Sequence, residues 1–236
     1  MLKMKSVARG GALALSMIAL ASCATQPAEG PRTFPTLGRS AAGILVDTTG
    51  SRAILPAGTP LRPVIPPGVD LVKVSELFVP NLYNDPAGYC TIGYGHLIKR
   101  SNCDGTESPE FLAGLTPEAG ELLLVEDMTP AQIAVMMHVS VELTDEQFAA
   151  LTDFVFNVGE GNFQASTLLR RINEGNHDAV PTQLRRWVFA GGEEFEGLRV
   201  RREREINLYT NGVGSRDVPS MSEDTSPIDI RVGERR

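Results

Sequence analysis

The chain is predicted to be an α+β protein with a small β-sheet lobe and a larger helical lobe, and three features of its 236 residues carry that expectation. A helix-like run ending at Glu76 gives way to a turn and then to an alternating strand from Tyr89 to Tyr94. The stretch from Thr116 to Tyr209 repeatedly shows a helix cap followed by apolar residues at helical spacing. The two ends differ from this middle: eight of the sixteen prolines lie between Ala24 and Pro67, and the residues after Gly212 are rich in Ser, Asp, Glu and Pro. With 42% hydrophobic residues the chain can bury one good core, so one globular domain with tails is expected.

The first residues read as a targeting segment. Lys3, Lys5 and Arg9 precede an apolar run from Gly10 to Ala21, too short to span a bilayer comfortably and suited to the h-region of a secretory signal. The run ends Leu20-Ala21-Ser22-Cys23, which resembles the lipobox of bacterial lipoproteins. That resemblance implies a signal peptide over 1–22, lipid on Cys23, a membrane partner and, with Ala24 in second position, sorting to the outer membrane facing the periplasm. The alternatives are an ordinary cleavage site and an uncleaved anchor. Loss of residues 1–22 lowers the formal charge from −7 by three to −10, which disfavours nucleic acid as a partner. Residues 23–67 read as a Pro-rich tether of roughly 35 to 40 Å average span. Within it, segments 44–46 and 53–55 suit a small hairpin around Thr48-Thr49-Gly50.

The chemistry concentrates between Ser75 and His96. Glu76 lies in an apolar run with Val72, Val74, Leu77 and Phe78, and Pro80 stops the helix just beyond it. Asp85 opens an Asp-Pro-Ala-Gly turn, and alternation then puts Tyr89, Thr91 and Gly93 on one face, with Gly93 and Gly95 leaving room for a close approach. Two carboxyls in different settings can deliver a proton to a leaving oxygen and assist attack from the other face of a sugar. Glu76, at a helix end against apolar neighbours, suits the proton donor; Asp85, on an exposed turn, suits the charged group, and the Thr91 hydroxyl can hold a water beside it. With Cys23 taken by lipid, Cys90 and Cys103 flank the strand pair and suit a disulfide in an exported chain. Histidines 96, 138 and 177 are scattered at spacings unlike a zinc site, so no metal is expected.

The helical half follows in order. Thr116-Pro117-Glu118 suits a helix start, with a break near Thr129-Pro130 before the helix resumes through Val139. Thr144 to Gln147 is a capping box, and Phe148, Leu151, Phe154, Val155 and Val158 mark the central core helix, ended by Gly159 and Gly161. Ser166 caps a short helix stopped by Gly175, a further helix carries Val180, Leu184, Trp187 and Val188, and a last one runs from about Leu198 to Tyr209. Residues 212–236 read as a disordered tail.

Glu76, then Asp85 nine residues on, then Thr91 followed by Ile-Gly-Tyr-Gly-His resembles the glutamate, aspartate and threonine of the bacteriophage-type lysozymes, glycoside hydrolase family 24. Phe156-Asn157-Val158-Gly159, the run 163–169, the run 187–192 and the run 197–202 resemble later motifs of that family, so the resemblance covers about 68–211. It implies a two-lobed lysozyme fold, peptidoglycan glycan strands as substrate, a likewise monomeric protein and no cofactor. It further implies a muramidase acting through Glu76, Asp85 and Thr91, with Asn157 lining the cleft and one of Arg199, Arg201 and Arg202 paired with the glutamate. In bacterial members the glutamate is often followed by glycine; here Leu77 follows, which bears on packing rather than chemistry. A lytic transglycosylase needs one glutamate and no second acid, and a silent peptidoglycan-binding lipoprotein needs neither, so Asp85 and Thr91 argue against both.

Overall fold

In a computed structural model, residues 55, 58–210 and 223–234 are described in full, together with the backbone of 37–39 and 45–47. The signal segment, Cys23 and most of the tether lie outside these residues. Strands β1 (Leu37–Arg39) and β2 (Leu45–Asp47) pair antiparallel. The strand at 45–47 thus pairs with a segment before it rather than with 53–55, of which residues 53 and 54 are outside the described set.

Helix α1 (Pro66–Glu76) starts with proline where no N–H is needed. The domain begins earlier than residue 68, however. Arg62 donates to the Leu143 carbonyl at 2.9 Å and to Asp145 at 2.6 Å, Gln132 donates back to the Arg62 carbonyl, and Val64 packs on the core. The inward face of α1 is Val69, Leu71 and Val72; Val74 and Leu77, read as part of the apolar run, are exposed.

The small sheet has three strands in the order β3 (Val79–Asn84), β4 (Cys90–Gly93), β5 (His96–Lys99), all antiparallel. Strand β3 is absent from the sequence reading, where Pro80 serves only to stop the helix. The proline is accommodated at the sheet edge, where the register slips between Val79 and Tyr83 and the missing N–H costs no ladder bond. Gly95 closes the β4–β5 hairpin at φ +87°, with open space where a Cβ would stand. Its need is the turn conformation, not close approach by another group.

After α2 (Pro109–Leu112) come α3 (Pro117–Asp127), capped by the Thr116 hydroxyl accepting from Ala119 N–H, and α4 (Thr129–His138). The central helix α5 (Asp145–Val158) has the full capping box between Thr144 and Gln147. Gly159 ends it, but Gly161 lies inside the next helix, α6 (Glu160–Ala165). Helix α7 (Thr167–Asn173) is capped by Ser166, and α8 (Val180–Arg185) stops short of Trp187 and Val188, which are nonetheless buried. A two-stranded hairpin, β6 (Phe189–Ala190) and β7 (Glu193–Glu194), leads into α9 (Glu196–Tyr209).

Two apolar clusters result. The larger surrounds α5, with Phe148, Leu151, Phe154, Phe163, Leu168, Ile172, Leu184 and Trp187 all buried. Removing these side chains from water contributes about 1.5–3 kcal/mol each. The smaller joins α1, the β4–β5 turn, α3 and α4 through Val69, Val72, Tyr94, Leu124 and Met128. It seats the sheet against the end of α1 that carries Glu76.

The expected disordered tail is corrected for residues 223–234. Its polar composition serves ion pairs rather than solvent. Arg186, whose side chain is 4% exposed, donates to Asp224, Glu234 and the Ser226 carbonyl. Glu223 pairs with Arg171, Glu234 accepts from Thr167, and Ile228 enters the large core. The backbone of 228–230 bonds to Arg186 and Phe189, adding a strand-like bridge beside β6.

Candidate active site

Glu76 is the last residue of α1, and its Oε1 accepts from Arg201 Nη1 at 2.7 Å; its side chain remains 30% exposed. The helix ends sharply because Leu77 adopts φ 58°, ψ 148°, the one non-glycine at positive φ among the described residues. That backbone suits glycine and costs a β-carbon residue about 1–3 kcal/mol. The departure from glycine noted above therefore bears on backbone strain, and Leu77 packs little, being 69% exposed.

Of the three candidate arginines, Arg201 reaches the glutamate. Its Nε and Nη2 form a fork on the two carboxylate oxygens of Asp153 at 3.1 and 2.7 Å, which leaves Nη1 for Glu76. Burial works to lower the Arg201 pKa, but the charge and hydrogen bonds of Asp153, with Glu205 and Glu76 behind them, outweigh it and raise it. Arg202 turns instead to Asn157, whose side-chain oxygen accepts from Nη2 at 2.6 Å, and its guanidinium lies over the Phe154 ring. Arg199 pairs at the surface with Glu196. Asn157, expected in the cleft, is half-buried and has its oxygen committed to Arg202.

Asp85 and Thr91 are joined through one backbone group. The Tyr89 carbonyl accepts from the Asp85 N–H at 2.9 Å and from the Thr91 hydroxyl at 3.1 Å, while Asp85 Oδ1 accepts from the Ala87 and Tyr89 N–H groups at 2.8 Å. This Asx turn fixes the carboxylate at the mouth of the β3–β4 hairpin. Thr91 is only 3% exposed, and its hydroxyl hydrogen is given to Tyr89, so any water it holds is held through its lone pairs.

Tyr83 is absent from the sequence reading. It sits opposite Thr91 across the β3–β4 ladder, two residues before Asp85. The pKa of its phenol is raised, first by burial and then by the charges of Asp85 and Glu76. Cross-strand pairing from Thr91 and the two-residue step from Asp85 would have found it, had β3 been recognised. Asp153 was also missed, although a charged residue within the buried run Phe148–Val155 is a recognisable signal.

Supporting contacts surround this arrangement. Cys90 and Cys103 are bonded, with Cα atoms 4.8 Å apart, and the Cys103 N–H donates to Asn84 beside Asp85. Among the described residues the grouping Cys90, Cys103 and Glu107 has metal-like proximity, but both sulfurs are spent on their bond. Alkylation of unreduced exported protein should find neither thiol free, since the bridge contributes about 2–4 kcal/mol; two labelled cysteines would contradict it. His96, on β5, bonds through Nδ1 to Asp127 at the end of α3 at 2.9 Å. That bond raises the imidazole above its ordinary 6.5 against the opposing effect of burial. A raised folded-state value means stability fully present below 6.5 and lost as pH rises through the raised value. The stability gap between wild type and His96→Gln in denaturant should therefore narrow on going from acid to alkaline buffer; a gap constant with pH would refute the charged pair.

A sequence model of the phage lysozyme family matches residues 73–205. The chain belongs to the phage lysozyme family. It is 38% identical over 128 residues to the SAR-endolysin of Bacteriophage PS119, covering 53% of this chain and 71% of that protein. Among solved structures it resembles the muramidase domain of SpmX from Asticaccaulis excentricus, with TM-score 0.54, 32% identity, and coverage of 63% of this chain and 98% of that one. It also resembles the endolysin from Escherichia coli O157:H7 phage FAHEc1, with TM-score 0.55, 28% identity, and coverage of 64% and 96%. The lysozyme fold and a lysozyme-type, peptidoglycan-hydrolysing glycoside hydrolase follow. The strap at 223–234 lies beyond the part of this lysozyme that matches the family. Among the described residues no helix is long and apolar enough to cross a membrane.

Proposed function

We propose that this lysozyme hydrolyses the β-1,4 bond between N-acetylmuramic acid and N-acetylglucosamine, with Glu76 as proton donor and Asp85 and Thr91 assisting attack by water. The observation that carries the reading is the unlike holding of the two carboxyls: Glu76 is bonded by Arg201, whereas Asp85 is set by an Asx turn and is joined to Thr91 through the Tyr89 carbonyl. Two carboxyls held by unlike partners suit unlike roles. Water adds its oxygen to the anomeric carbon and gives a proton to Asp85. The glycosidic carbon–oxygen bond breaks with its electron pair passing to the leaving oxygen, which takes the proton of Glu76. Attack by a water held at Asp85 and Thr91 gives inversion at the anomeric carbon. Asn157, beside the arginine pair, is the proposed further contact to the sugar.

Mass analysis of products from purified peptidoglycan tests the reading. Reducing N-acetylmuramic acid ends are expected because water is the acceptor; a predominance of 1,6-anhydro ends would overturn hydrolysis in favour of transglycosylation, and no sugar products would favour a binding protein.

We also propose that the domain works outside the cytoplasm as a monomer, exported and tethered through lipid on Cys23 in the outer membrane. The lipobox-like Leu20-Ala21-Ser22-Cys23 supports this. Cys23→Ala should move the protein out of the membrane fraction, whereas unchanged partition would point to an uncleaved anchor.

A further inference from the structure

Beneath the Glu76–Arg201 pair lies a carboxyl that the reaction described above does not use. Glu205, one helical turn beyond Arg201 on α9, has no exposed surface, and the same holds for Arg202 and Asp153. Glu205 Oε1 lies 3.1 Å from Arg202 Nη2 and 3.7 Å from Arg201 Nε, yet neither of its oxygens has a well-aligned hydrogen bond. Arg201 has already committed Nε and Nη2 to Asp153 and Nη1 to Glu76. Two guanidiniums therefore face three carboxyls, of which Asp153 and Glu205 have no exposed surface.

Such a cluster is a poor way to stabilise a fold. Taking a carboxylate from water costs several kcal/mol, and mismatched geometry recovers less of it than aligned bonds would. An apolar side chain would fill the same volume without that cost. What Glu205 supplies, and an apolar residue would not, is negative charge on a different edge of the guanidinium that holds Glu76.

We propose that Glu205 is a positioning residue for the hydrolysis, drawing on the Arg201 guanidinium from its Nε edge and thereby setting how firmly the Nη1 edge holds Glu76 as a carboxylate. The proposal rests on the reading of Glu76 as proton donor. The groups facing Glu205 are Asp153 from α5, Glu76 from α1 by way of Arg201, and Arg201 and Arg202 from α9 itself. Helix α8 meets α9 through the surface pair Arg185–Glu203, and Tyr209, the next buried titratable group along α9, bonds to His177. With Glu205 charged, Arg201 is compensated from behind and its Nη1 edge holds Glu76 less firmly. With Glu205 neutral, the cluster gains one unit of positive charge and that hold tightens. Burial raises the Glu205 pKa above the ordinary carboxyl value, and the neighbouring Asp153 adds to that rise, while Arg202 and Arg201 oppose it.

Glu205→Gln keeps the shape and removes the charge. In kcat/KM against pH, the alkaline limb, where the proton donor is lost, should move to lower pH by about one unit. Activity on the wild-type limb would then fall about tenfold, with little change well below it. Glu205→Asp, which restores the charge, should move the limb back. A purely structural role would lower the unfolding temperature and leave the limb in place, and that result would overturn the proposal. Should Glu205→Gln fail to fold, carboxyl NMR titration of the wild-type protein decides. A Glu76 curve with a second inflection coinciding with that of Glu205 supports the coupling, and a single independent step for Glu76 refutes it. Full activity in Glu76→Gln would instead defeat the assignment of the proton donor, so the two failures are distinguishable.

Discussion

Glu76→Gln should lower turnover on peptidoglycan by about 10²- to 10⁴-fold, the range that a positioned general acid supplies. The amide keeps the size of the side chain and can still bond Arg201, so only the transferable proton is lost. The fold should survive, because Arg201 retains its two-pronged contact with Asp153. A loss below about tenfold would be too small for the role. The companion changes separate the other duties. Asp85→Asn removes the charge proposed to orient water or steady the positive transition state while keeping an oxygen for the Ala87 and Tyr89 N–H groups, so turnover should fall without unfolding the turn. Thr91→Val should retain sugar binding and lose turnover, although it also takes one donor from the Tyr89 carbonyl.

Ending the chain at residue 222 costs about 3–5 kcal/mol, the penalty for stripping the partners from a buried charge. Arg186 would lose Asp224, Glu234 and the Ser226 carbonyl together and keep only Gln183. The core would lose Ile228, Arg171 would lose Glu223 and keep Glu174, and Thr167 would lose Glu234. Thermal unfolding of the shortened protein reads the effect. Adding Arg186→Met should recover part of the loss, because a methionine needs no counter-charge; an unfolding temperature equal to that of the full chain would show the strap to be dispensable.

What could be read in the sequence was what local chemistry dictates. The Thr144–Gln147 capping box, the Thr116 and Ser166 caps and the apolar face of α5 each depend on neighbours within a few residues, and each lies where its pattern puts it. The Glu76, Asp85 and Thr91 spacing is also local, and the fold places the three at the end of α1 and around the β3–β4 hairpin. Strand β3 was hidden by Pro80, whose cost vanishes at a sheet edge that only the folded ladder defines. The choice of Arg201 over Arg199 and Arg202 depends on the rotation of α9 against α1 and α5, which no local pattern encodes. The strap was misread because acids in a polar segment look alike whether they meet water or a buried arginine 38 to 48 residues away. Val74 and Leu77 misled through phase: apolar residues a few positions apart satisfy more than one helical face, and Val69 and Val72 hold the inward one.

The bond between Glu76 and Arg201 spans 125 positions of the chain. A ribosome adding about 5–20 residues per second needs roughly 6 to 25 s to travel from one to the other. For that interval a nascent chain carries Glu76 without the guanidinium that holds it, and without the helix that walls the cluster behind it. The setting of Glu76 is thus completed late, by the helix synthesised after almost everything else in the domain. Fragments released early by a premature stop or a protease should be inert toward a wall that the finished protein cuts.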